Sequence, residues 1–331
     1  YFCEDAPEYA VVCAGSLLGV ALNRTGSSFP VGKVDFMTLY PVSFEEYLQA
    51  ADERLYRAYQ MIDEIMAVPE VIHQQLIDAY KGYLVLGGMP EVVSTYLDTR
   101  NWSDVKTVQG AILQSYSLDF AKHISNKDIP RVFQVWGNLQ DQLAREDKKF
   151  RYADIQKGGR AREYEGAIEW LCLAGLVYRV SAIETPRLPL SAYKKSNAFK
   201  LYLNDVGLLG RKFDLDATTV LMGDNLFTEF KGVIAENYVL QSLVRQFGNQ
   251  HYYWTSGNTA EVEFVLQDTG RIIPIEVKAD KNVTAKSLAY YRKQYTPQLS
   301  IRLSILNMRK DGDLLNLPLY LVDKLKFFCS L

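Results

Sequence analysis

The sequence predicts a multidomain protein of mixed class, α/β at its start and α+β over the rest. Three observations carry this. Tyr9 to Ala14 is an uninterrupted apolar run, the pattern of a parallel strand covered on both faces. From Glu53 to Ala121 apolar residues recur at helical spacing. The last third alternates helix and strand patterns around one hairpin, Ala260 to Ala279. A chain of 331 residues suffices for two or three domains with proper cores.

Composition narrows the function classes. With 48% hydrophobic and 23% charged residues the chain is globular rather than disordered. A net charge of -2 excludes bulk electrostatic coating of nucleic acid, so any such contact must come from local basic patches. The four cysteines show no CxxC spacing and have only three histidines beside them, which argues against zinc and for reduced, buried thiols. No run of eighteen apolar residues and no charged signal before an apolar start is present. A cytoplasmic location without membrane contact is the resulting expectation.

In chain order, the Tyr9 to Ala14 strand is followed by a second candidate strand, Gly32 to Leu39. Ser43 with Glu46 then reads as a capping box opening a helix. Three runs, VVCAGSLLGVAL from Val11, FPVGKVDFMTLYPVSFEEYL from Phe29 and GGMPEVV from Gly87, resemble the AAA-type P-loop ATPases that carry a C-terminal domain of unknown function. Such proteins begin with a phosphate-binding loop ending in GK and Ser or Thr, and with an acidic strand that holds magnesium. Neither is found here: Gly32 and Lys33 are followed by Val34 and Asp35 and lead into a strand pattern. The resemblance implies that residues 1–42 are the end of the ATPase core of an N-terminally truncated portion. Ser16 then matches the residue that senses the terminal phosphate, or else simply closes a turn. ATP would be bound only with the missing segment, and no hydrolysis is expected of the chain as it stands.

Residues 43–128 read as a helical lid, broken at Gly87, Gly88 and Pro90, with Pro90 at a helix N1 position. Met61, Met66 and Met89 are expected in its core, and His73 and His123 are expected to be structural. Residues 129–222 give a helix, a short helix, a third helix and two strands, the order of a winged helix. Around its third helix lie Lys148, Lys149, Arg151, Lys157, Arg160 and Arg162, a patch that could hold phosphates. Glu163, Glu165 and Glu169 follow at once and would repel a backbone. Packing against the lid is therefore the competing role.

Residues 223–331 open with a long helix ending at Phe247, whose apolar row Val233, Leu240, Leu243 and Phe247 is interrupted by Glu236. A carboxylate on a core-facing stripe must be paired, hydrogen-bonded or metal-bound. In the hairpin a two-residue turn at Thr269 and Gly270 would set Glu263 opposite Glu276, two like charges facing each other. Glu276 and Lys278, two apart, share a face. The order helix, strand, strand, strand, helix, strand resembles the restriction-endonuclease-like, PD-(D/E)xK, fold. That pattern sets an acidic residue on the first helix, an Asp on one strand and ExK on the next. Glu236, Glu263 and Glu276-Val277-Lys278 stand at those positions, with Glu in place of the usual Asp.

The resemblance implies Mg2+ held by Glu263, Glu276 and the Val277 carbonyl, with Lys278 beside it and Glu236 reaching in from the helix. Lys281 and Lys286, with Arg292 and Lys293 further along the following helix, could bind phosphate nearby, although the first two could simply be solvated. Two functions remain in view. One is an ATPase-linked, magnesium-dependent nuclease acting on DNA or RNA; the other is a module that holds nucleic acid or a protein partner without cutting.

Overall fold

A computed structural model describes residues 2–15, 32–125, 127–222, 228–257, 260–279 and 285–331, with backbone alone for 121–123, 222 and 228–230. The helices are α1 Phe44–Ala51, α2 Glu53–Gln60, α3 Glu70–Leu86, α4 Pro90–Thr99, α5 Trp102–His123, α6 Ile129–Leu143, α7 Tyr152–Ile155 and α8 Ala161–Leu173. After strands β1 Val177–Ile183 and β2 Lys194–Leu203 come α9 Val206–Lys212, α10 Ala217–Met222 and α11 Thr228–Phe247. Strands β3 His251–Thr255, β4 Glu261–Asp268 and β5 Arg271–Lys278 precede α12 Lys286–Tyr295. The chain closes with β6 Ser300–Ser304, β7 Arg309–Asp311, β8 Leu314–Pro318 and α13 Leu325–Ser330.

The fold is a mixed α/β structure built on one eight-stranded sheet, ordered β2-β1-β3-β4-β5-β6-β8-β7. β1 runs parallel to β3, and β5, β6 and β8 are parallel to one another, while the remaining neighbours are antiparallel. The hairpin has the expected register: Phe264 pairs with Ile275 and Asp268 with Arg271 across a two-residue turn. Thr269 and Gly270 both take positive φ, 46° and 79°, the turn whose twist matches paired strands. The paired register ends at Phe264 and Ile275, so Glu263 and Glu276 lie just beyond its last pair, where β4 also shifts register against β3.

The helix, short helix, helix and two-strand order of residues 129–203 is present. Its two strands form one end of the common sheet rather than a separate hairpin, because Val180 to Ile183 pair with His251 to Trp254. The Ser43–Glu46 capping box and Pro90 in the first turn of α4 form as expected.

Two expectations are corrected. Tyr9–Ala14 and Gly32–Leu39 form no strands: residues 10–15 and 34–43 are irregular, and Val12, Met37 and Leu39 are 92%, 95% and 92% exposed. No described strand pairs with either run, and a lone apolar segment has nothing to satisfy its backbone as a strand. Met61 and Met66 are exposed, not core, since α2 ends at Gln60 and both lie in the loop beyond it. His73 is buried against the Tyr320 hydroxyl, its Nδ1 2.8 Å away, as befits a structural role. The side chain of His123 lies outside the described residues.

The glycines of GGMP mark where three segments touch backbone to backbone. A Cβ on Gly88 would come within 3.0 Å of Val42 backbone, and one on Gly207 within 3.0 Å of Leu86. Asp205 ties the junction, accepting from Gly88 N at 2.6 Å and capping α9 through Leu208 N at 2.9 Å.

Candidate active site

The open ends of β4 and β5 bring the hairpin charges together. Lys278 Nζ lies 2.6 Å from Glu276 Oε1 and 3.9 Å from Glu263 Oε1. Glu263 Oε2 accepts from Val277 N at 3.3 Å, so residue 277 meets the site through its backbone. Glu276 is buried, and its Oε2 has no hydrogen-bond partner. Burial, then Glu276, then Glu236, push the Glu263 carboxyl well above its ordinary range. Glu276 is raised too, by burial above all, although Lys278 opposes the shift. Burial would lower the Lys278 ammonium, but Glu263 and Glu276 hold it above its ordinary value. Two carboxyls thus share one ammonium, and their upward shifts mean that the pair favours holding a proton.

Glu236 sits at the neighbouring corner with partners of its own. It accepts from Lys148 Nζ at 2.9 Å and from the Tyr202 hydroxyl at 2.9 Å. Burial would raise its carboxyl; Lys148 first and Lys200 second bring it below the usual value. Tyr202 is raised far above the ordinary phenol by burial and by that same carboxylate.

Lys148 therefore does not belong to the surface patch with which the sequence groups it. Its backbone takes a left-handed turn, φ 49°, and its side chain runs inward. Lys200, 1% exposed within β2, pairs with Glu261 and lies 4.8 Å over the Tyr253 ring. Sequence reasoning missed Lys200, Glu261 and Tyr202 as site residues. A signal existed: a lysine inside NAFKLYL is as misplaced as a glutamate inside an apolar helix row.

The other named residues lie elsewhere. Arg151, Lys157, Arg160 and Arg162 are exposed on the segment around α7 and the start of α8. Arg151 is paired with Asp147, and the Arg160 backbone is capped by Glu163. Lys286 is exposed at the start of α12, beside Ser287, whose Oγ accepts from Glu261 N at 3.3 Å. Ser16 and Lys281 lie outside the described residues.

As a site for a divalent ion the hairpin offers hard oxygen donors, an unpartnered buried carboxylate oxygen and two carboxyls crowded against each other, all of which suit magnesium. Among the described residues no group of three or more His, Cys, Asp or Glu side chains is arranged to hold a metal by itself. An ion here would rest on Glu263, Glu276, the Val277 carbonyl and water.

Comparison with known families finds two domains of unknown function and supplies no chemistry. Residues 77–219 match a domain of unknown function, DUF8612, and residues 231–320 match a second domain of unknown function, DUF4143. No curated protein and no solved structure matches the chain. Among the described residues no helix is long and apolar enough to cross a membrane.

Proposed function

We propose that this chain is the C-terminal portion of an AAA-type ATP-binding protein and carries a magnesium-dependent, nuclease-like site built from Glu263, Glu276 and Lys278. The observation that carries the reading is the partnerless, buried Glu276 Oε2 beside a Glu263 carboxyl driven upward by its neighbours. Buried carboxyls raised by each other are groups whose proton a divalent cation would displace. The C-terminal family occurs in AAA-ATPase-associated contexts, which agrees with the ordered N-terminal runs.

Bound magnesium supplies Lewis acidity, acidifying a coordinated water and offsetting phosphate charge. Glu263 and Glu276 supply its oxygens. Lys278, 2.6 Å from Glu276 Oε1, would present its ammonium to the oxygens of the attacked phosphate. Glu236, fixed by Lys148 and Tyr202, would act on Glu263 through its charge rather than by coordination. The exposed arginines and lysine at Arg151, Lys157, Arg160 and Arg162 would hold the backbone of a longer nucleic acid.

A second reading, a module that binds nucleic acid or a protein without cutting, is favoured by one observation: Glu236 is already fully paired. Magnesium or manganese titration of wild type and Glu276→Gln, read by thermal unfolding and by cleavage of labelled single-stranded and duplex DNA and RNA, separates the two. Metal-dependent stabilisation and cleavage, both lost in Glu276→Gln, are the expected result. Wild type that neither gains stability nor cuts would leave the binding module as the function.

A further inference from the structure

We infer that the exposed face of α12 is a binding track for single-stranded nucleic acid that leads into the Glu263–Glu276 site. Lys286, Tyr290 and Lys293 follow one another at spacings of four and three, so they form one stripe along the helix. All three are exposed, and Tyr290 keeps half its surface open although its ring stacks on buried Trp254, 28° from parallel with centroids 6.1 Å apart. An aromatic ring braced from beneath and open above, with an ammonium one turn to either side, is the arrangement that takes a base on its face and phosphates at its flanks.

The track has a second wall and a direction. The loop after β1 is fastened to α12 and its support, because Trp254 Nε1 donates to the Glu184 carbonyl at 3.0 Å and Tyr295 reaches the same oxygen at 3.4 Å. That loop exposes Arg187, and Tyr193 beyond it is 38% exposed. The acidic side chains beside the track are already paired, Glu184 with Lys195 and Asp313, between β7 and β8, with Arg292, which leaves Lys286 and Lys293 to set the sign of the surface. At its Lys286 end the helix adjoins the mouth of the site through the bond between Ser287 and Glu261. A duplex buries its base faces and cannot use Tyr290, so the preferred ligand is single-stranded. The track's place in catalysis rests on the metal-dependent reading of the hairpin; its binding does not.

Fluorescence anisotropy with a labelled poly-dT oligonucleotide and a duplex of equal length, without divalent metal, tests the track. The single strand should bind more tightly, Tyr290→Ala should weaken it by roughly 5- to 100-fold, and Tyr290→Trp should retain binding. Lys286→Glu with Lys293→Glu should weaken it and flatten its dependence on salt. Duplex binding as tight as that of the single strand, or affinity indifferent to the two charge reversals, overturns the inference. Glu276→Gln should abolish cleavage and keep oligonucleotide affinity. Cleavage by a wild type whose binding ignores all the α12 variants would defeat the track and leave the nuclease reading intact, whereas binding through α12 without cleavage would do the reverse.

Discussion

Lys148 and Glu236, 88 residues apart in sequence, meet 2.9 Å apart with the carboxylate side chain 4% exposed and the lysine 17%. Their pair links the loop after α6 to the helix that backs the candidate site. Removing one member strands a charge in a dry place. Lys148→Ala should cost about 3–5 kcal/mol, whereas Lys148→Met combined with Glu236→Gln should recover most of it, since the amide can still accept from Tyr202. Urea unfolding of the two variants checks this. A single variant within about 1 kcal/mol of wild type would mean that the pair is solvated.

Glu263 and Glu276 work in the opposite sense. Because burial and mutual repulsion raise both carboxyls, Glu263→Gln should stabilise the metal-free protein, by about 0.5–2 kcal/mol, and abolish any stabilisation by magnesium. Thermal melts with and without the metal distinguish this trade from an ordinary loss of packing, which would lower stability in both conditions.

The pH dependence has a separate source in Asp205. Burial raises its carboxyl from 3.8 to about 6, against the pull of backbone N–H donors from Gly88, Leu208 and Gly207. The folded protein therefore holds this proton more tightly than the unfolded chain. The contribution to stability is complete below about pH 4 and is lost as pH rises through about 6. The stability difference between wild type and Asp205→Asn should thus shift toward the variant by up to about 3 kcal/mol between pH 4 and pH 7. Denaturant midpoints collected across that range provide the measurement, and a difference that does not change with pH would remove Asp205 as its source.

Glycine substitutions should split by location. Gly88→Ala and Gly207→Ala force a Cβ into backbone at the junction and should each cost about 2–3 kcal/mol. Gly137→Ala and Gly166→Ala, inside α6 and α8 with nothing within 4 Å of the added carbon, should instead gain up to about 1 kcal/mol. Calorimetric melting of the four variants would reveal whether the signs divide this way.

What the sequence disclosed depended on range. The hairpin register followed from alternation and the turn at Thr269 and Gly270, both local signals. Glu236 stood out because a helix row exposes any residue that breaks it. Lys148 did not, because its left-handed backbone reverses the chain and sends inward a side chain that composition assigns to the surface. Nothing local could say that β1 would lie beside β3, 68 residues from Ile183 to His251, or that Tyr9–Ala14 would pair with no strand among the described residues. Strand pairing is decided by partners, and partners are distant.

The contacts of Asp323 and Lys324 bear on the order in which this chain can be made. Asp323 accepts from Glu45 N and Ser242 Oγ and pairs with Arg245, while the Lys324 ammonium caps the carbonyls of Tyr59, Gln60 and Ile62. Helices α1 and α2 thus receive their fastening from residues 262 to 278 positions later in the chain. Until then α1 and α2 lack those polar clamps, and the β1–β2 end of the sheet waits for β3. A growing chain stalled before residue 319 should leave α1 and α2 open to protease and chaperone, and emergence of residues 319–324 should close them in a single step.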